Sequence, residues 1–180
     1  MQLYRSSVQE KGVSDQEDET MAARVIDVLT PAGRQFERIL QELADKEVAV
    51  GFQHGDATEE DGTDICDIAA WNELGTEHGS WIIPPRPFLR KSVDENEDKI
   101  NEFIDHKASE LMNGASAEQT LKDIGIFQKD LIQDKIEEGD FTPNAESTIR
   151  KKGSSKPLID TGRMRQSVNY WIRQKGSGGD

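Results

Sequence analysis

The chain is 180 residues long, room for one domain with appendages, and its 34% hydrophobic against 32% charged content leaves a small core under a large wet surface. A formal net charge of −13 excludes a general nucleic-acid binder, which needs clustered Lys and Arg to neutralise phosphates. No window approaches the roughly 18 apolar residues of a membrane helix, and the opening MQLYRSSVQEKG has no apolar core of signal-peptide length.

Residues 1–30 read as an acidic N-terminal arm: Glu10, Asp15, Glu17, Asp18 and Glu19 dominate it, and such a composition cannot repay its ordering entropy alone. Within it, Val25, Ile26, Val28 and Leu29 are apolar enough to dock in an assembly. A domain over 31–175 follows. Thr30 before Pro31 predicts a helix start, and Phe36, Ile39, Leu40 and Leu43 at i, i+3, i+4 and i+7 give it one apolar stripe. EVAVGF, Glu47 to Phe52, predicts a strand, and the Gly- and Asp-rich stretch Gln53 to Asp64 a loop or hairpin tip. Ile65 to Leu74 suits either a strand or a helix. Pro84, Pro85 and Pro87 keep the chain extended from Trp81 until Phe88.

From Phe88 to Asn113, Leu89, Val93, Ile100, Phe103, Ile104 and Leu111 share one arc and predict a single long amphipathic helix. Asn113-Gly114 ends it. Ser116 with Gln119 makes a capping box for a second long helix, whose broad apolar face carries Leu121, Ile124, Phe127, Leu131, Ile132 and Ile136 up to Gly139. Residues 140–157, with Pro143, Arg150-Lys151-Lys152 and Gly153-Ser154-Ser155, read as a loop. Ser167 to Arg173 alternates Val168, Tyr170 and Ile172 with polar neighbours and predicts a final strand, and 176–180 a flexible tail. From residue 140 onward eight basic residues meet four acidic ones, a net +4 in a −13 chain, a segregation suited to head-to-tail contacts between identical subunits. The expected fold class is α+β: a small β-sheet against two long amphipathic helices and a shorter N-terminal one, with a flexible N-terminal arm.

Little in the sequence suggests chemistry. Cys66 is the only cysteine, which rules out an internal disulfide and suits a reducing cytoplasm. His54, Cys66 and His78 lie about a dozen residues apart, too far for paired metal-ligand spacing, and His106 stands alone. A Cys66–His78 nucleophile pair lacks a nucleophile elbow, and Ile65 and Ile68 beside the cysteine point to half-buried packing. No GxGxxG or P-loop pattern occurs. We therefore expect no catalysis, no cofactor and no metal.

Three local motifs are specific. In DIAAWNELGT, Gly75 turns the chain after an apolar run, while Asn72 and Glu73 stand ready to bond loop backbone before Thr76. In Pro84-Pro85-Arg86-Pro87-Phe88-Leu89-Arg90 the prolines fix an extended entry and Phe88 anchors a helix, leaving Arg86 and Arg90 for fork-shaped contacts with carboxylates. In PLIDTGRMRQSV, Asp160 or Thr161 can cap a short helical turn beyond Gly162, and Arg163 and Arg165 read as cations offered to a neighbour's acidic helix.

In this order the motifs resemble the phage virion-morphogenesis family of tail-completion and neck proteins, whose members carry an E-[FL]-G-T segment, an IPPRPF segment, two helices and a late PLIDTG-x-[LM]-R-x-S segment. Here these are Glu73-Leu74-Gly75-Thr76, Ile83-Pro84-Pro85-Arg86-Pro87-Phe88 and the run Pro157 to Ser167; the likeness spans residues 31–173. It implies a small α+β subunit that multimerises as a ring at the neck or the head-proximal end of the tail, with no catalysis and no cofactor.

The function expected is therefore structural: head-tail joining through protein–protein contacts, made in the host cytoplasm and carried in the virion. The partners expected are other copies in a ring, six in preference to twelve, the neighbouring neck, connector and tail-tube proteins, and genome DNA passing through the lumen without sequence-specific binding. An acidic lumen would repel the DNA backbone and let it slide. No membrane is involved. The alternative is an acidic DNA mimic that inhibits a host DNA-binding protein, against which the basic C-terminal third argues; a metal or cysteine hydrolase comes last.

Overall fold

The computed structural model describes residues 30–78 and 81–176. The expected N-terminal arm and most of the C-terminal tail lie outside them. Pro31–Ala44 forms α1, opened by the Thr30 hydroxyl, which accepts the Gly33 N–H at 3.1 Å. β1 (Lys46–Gly51) follows at once, then the irregular segment 52–64, which holds one isolated bridge between Thr58 and Asp64. The ambiguous segment is a helix, α2 (Ile65–Leu74). It buries Ile65 and Ala69 four positions apart, a helical spacing.

β2 (Thr76–His78) and β3 (Trp81–Ile83) pair antiparallel, with Thr76 opposite Ile83. The prolines hold 84–87 irregular, and α3 (Phe88–Asp94) begins at the first residue they release. The single long helix expected from Phe88 is two: α3 stops at Asp94 and α4 runs Glu97–Met112. Asn96 makes the break, its side-chain amide donating to the Ser92 carbonyl at 3.1 Å while its own backbone leaves helical geometry at φ −124. Glu97 and Asp98 then open α4 with charge suited to a helix N-terminus.

α5 (Ala117–Glu138) is capped by the Ser116 hydroxyl, which accepts the Gln119 N–H at 3.2 Å. Only that half of the capping box forms, since the Gln119 side chain turns to Asp123. The predicted loop after it contains a helix, α6 (Glu146–Lys152). Glu146 in its first turn and Arg150, Lys151 and Lys152 in its last oppose the helix dipole, and Gly153 closes it at φ 70. α7 (Arg163–Gln166) and β4 (Asn169–Gln174) complete an α+β fold.

Among the described residues the strands form two small two-stranded sheets where one was expected: β2 with β3, and β1 with β4. β1 and β4 pair antiparallel, Val48 opposite Ile172 and Val50 opposite Tyr170. Alternation puts these four side chains on the face that α5 crosses, and puts the Glu47–Arg173 ion pair, 2.7 Å long, on the other. α5 is the centrepiece. It touches α1, α3, α4, α7, β1 and β4. Ile132 and Ile136 from α5 meet Ile65, Ala69, Phe88, Phe141, Leu158, Met164 and Val168 in one core. Phe88 is wholly buried with the Phe52 ring edge-on at 6.0 Å, a burial worth about 3 kcal/mol. A smaller seam joins α4 to α5 through Phe103 stacked on Phe127 at 4.1 Å.

Candidate functional site

The three sequence motifs converge around Arg86. α2 is started by Asp64, whose carboxylate accepts the Cys66 and Gly55 N–H groups at 2.8 Å each; these bonds hold its pKa below the usual carboxylate value. α2 ends at Gly75, where φ is 75 and an added Cβ would lie 3.0 Å from the Ile83 carbonyl and from Pro85. Only glycine fits so sharp and crowded a turn. It brings the end of α2 against the proline segment, so the Asn72 carbonyl accepts the Arg86 N–H at 2.6 Å.

The Arg86 side chain is 4% exposed. The carboxylate forks expected for it do not form. Its Nη1 donates to Asn72 Oδ1 at 3.0 Å, Nε to the Thr142 carbonyl at 2.9 Å and Nη2 to Asn144 Oδ1 at 2.9 Å, all neutral acceptors. Burial pulls its pKa down, yet a guanidinium stays charged. Asn144 passes the connection on, donating to the Pro157 carbonyl at 3.2 Å, which also accepts from Lys152 Nζ at 3.3 Å. Asn72, Arg86, Asn144 and Pro157 thus link all three motifs in one hydrogen-bonded chain. Asn144, from outside the motifs, had no sequence signal beyond following Pro143.

Glu73 lies beside this junction and caps α3, accepting the Leu89 N–H at 2.8 Å and the Arg90 N–H at 3.2 Å. Pro87, the N-cap residue, makes no side-chain cap bond, so Glu73 supplies it from another helix. Asn72 and Glu73 therefore bond loop and helix backbone as their position suggested. Arg90 is exposed and its side chain has no ion pair among the described residues. Thr76 opens β2, and Pro85 is exposed.

The late motif folds onto the 52–64 segment. Gly162 sits at φ 80 and precedes α7; the Thr161 hydroxyl accepts the Arg163 N–H at 3.2 Å and donates to Glu59 at 3.0 Å. Arg163 donates to the Thr58 carbonyl at 2.8 Å and lies 3.8 Å from both Glu59 and Glu60. Arg165 Nε is 3.0 Å from Glu137, with its N–H not aimed at the oxygen, an ion pair without a hydrogen bond. Both arginines thus have partners within their own chain.

A cleft of about 790 Å³ opens between β3, α6 and the 157–162 turn, with Arg86 in its lining. Lys152 stands in its wall, its pKa lowered by burial and by Arg86 and raised in part by Asp160. Away from the cleft, the Cys66 thiol bonds the Phe52 carbonyl at 3.9 Å, and burial with Asp64 and Asp67 nearby raises its pKa, so it stays a neutral thiol. His54 leans on Asp64 at 3.3 Å and His106 on Glu110 at 3.8 Å. Among the described residues no three His, Cys, Asp or Glu side chains gather to hold a metal ion, and no helix is long and apolar enough to cross a membrane. Comparison with family models, curated proteins and solved structures finds no match for this chain.

Proposed function

We propose that the chain is a structural phage virion protein, a ring subunit at the neck or the head-proximal end of the tail that joins head to tail by protein–protein contacts around a DNA channel. The observation that carries this reading is the junction on Arg86. Segments with the look of a neck protein, 73–76, 83–88 and 157–167, the last about 70 residues beyond the others, are drawn together by hydrogen bonds of Arg86 and Pro157 with Asn72 and Asn144 beside them. Their demanding residues are engaged in holding a shape, which suits a subunit whose work is assembly.

The exposed apolar side chains also favour contacts with other chains: Leu74 is 71% and Ile82 68% exposed beside the β2–β3 hairpin. Deleting the gene from the phage that encodes it, and viewing the lysate by negative-stain microscopy, tests the reading. Filled heads and tails should accumulate unjoined, and added protein should join them. Intact infectious particles at normal yield would overturn it and favour an acidic inhibitor of a host DNA-binding protein.

A further inference from the structure

The α6 wall of the cleft, where Arg150, Lys151 and Lys152 outnumber Glu146, and the free face of α4 are opposite in charge. At the cleft, Arg86 is a buried cation held only by neutral acceptors, and each of its Nη atoms keeps one more N–H. Lys151, exposed, and Lys152, half-buried, line the same cleft. Of its own carboxylates, Glu59 is engaged by Thr161 and Arg163 and Asp61 by the Thr63 N–H, which leaves Asp160 on the far wall as the acid nearest Lys152, while Lys151 forms no ion pair among the described residues. An uncompensated buried charge favours an anion brought from outside.

α4 has such anions. Asp98, Glu102 and Asp105, at i, i+4 and i+7, form an exposed stripe, and none has a cationic partner among the described residues. Ile104, 41% exposed, flanks the stripe, as exposed Ile82 flanks the cleft.

We propose that α4 of one copy docks on the α6 side of the cleft in the next, its carboxylates meeting Lys151 and the Arg86 floor while Ile104 meets Ile82. The two patches differ, so the contact is head-to-tail and either closes into a ring or runs on as a filament. This deepens the neck reading and rests on it for the choice of a second copy over another acidic helix.

Sedimentation velocity of the purified full chain tests it, with Glu102→Lys and Lys151→Glu, both at exposed positions that leave the core intact. Wild type should self-associate, more weakly at high salt, and each variant should weaken association about tenfold. An equal mixture of the two variants should recover it, because every interface in an alternating assembly then pairs opposite charges. A wild type that stays monomeric at every concentration, variants that associate like wild type, or a mixture without recovery would each overturn the contact. Charge-swap recovery beside a harmless gene deletion would leave the contact standing and remove the neck reading; unjoined particles without recovery would do the reverse.

Discussion

Gly125 of α5 lies directly against the Tyr170 ring of β4, so close that a Cβ added to the glycine would sit 2.4 Å from the ring. The helix and the β1–β4 sheet approach through this missing side chain. Alanine is the better helix former by about 1 kcal/mol, yet overpacking costs more. We expect Gly125→Ala to destabilise by about 2 kcal/mol in urea unfolding, and Tyr170→Leu in the same chain to recover part of the loss. Full additivity of the two changes would contradict the contact.

Arg86→Ala should cost about 3 kcal/mol, because it leaves Asn72, Thr142 and Asn144 with unanswered acceptors in a buried place. Arg86→Lys keeps the charge but cannot reach three divergent acceptors, and should recover less than half. Thermal unfolding separates the two. A lysine variant as stable as wild type would mean that charge alone matters there.

Glu73→Ala removes the cap from α3 and should cost about 1–2 kcal/mol, while Glu73→Gln should cost less, since an amide oxygen can still accept one N–H. Amide exchange at Leu89 and Arg90 reports the effect directly. Unchanged protection of both amides in Glu73→Ala would rule out the cap.

Lys107 of α4 bridges Glu110 at 2.7 Å and Asp123 of α5 at 2.6 Å. The bond to Asp123 is the main cause of the raised Lys107 pKa, and the bond to Lys107 the main cause of the lowered Asp123 pKa. A lowered carboxylate stabilises fully above its unfolded pKa, about 4, and loses that contribution as the pH falls through its folded value. A raised amine stabilises fully below its unfolded pKa, about 10.4, and loses its contribution as the pH rises through its folded value. The stability gap between wild type and Lys107→Met should therefore be flat across neutral pH and shrink at both extremes. A gap that changes between pH 6 and 8, roughly midway between those two values, would contradict the bridge.

Local rules made most elements legible. Thr30-Pro31, Ser116 and Gly75 mark their boundaries with chemistry that acts over three or four residues, and the structure follows them. The break at Asn96 was hidden because the apolar stripe of α3 and α4 stays in phase across it; only the Asn96–Ser92 bond reveals it. α6 was hidden because Ile149 is its one large apolar residue, and its end charges carry the signal that apolar periodicity lacks. At the junction, the sequence marked Arg86 as special but suggested the wrong acceptors. Its partners Thr142 and Asn144 lie 56 and 58 residues away, and only the fold brings them near.

The β1–β4 pairing sets the order in which the chain can mature. Glu47 and Arg173 meet across 126 residues, so a nascent chain carries β1 without its mate until the segment from Asn169 to Gln174 has been made. Val48 and Val50 lack their cross-strand neighbours throughout that interval. The emergence of β4, rather than the making of any one helix, then becomes the moment at which the β1–β4 sheet can close, and a ribosome stalled before Asn169 would leave a sticky, protease-sensitive fragment.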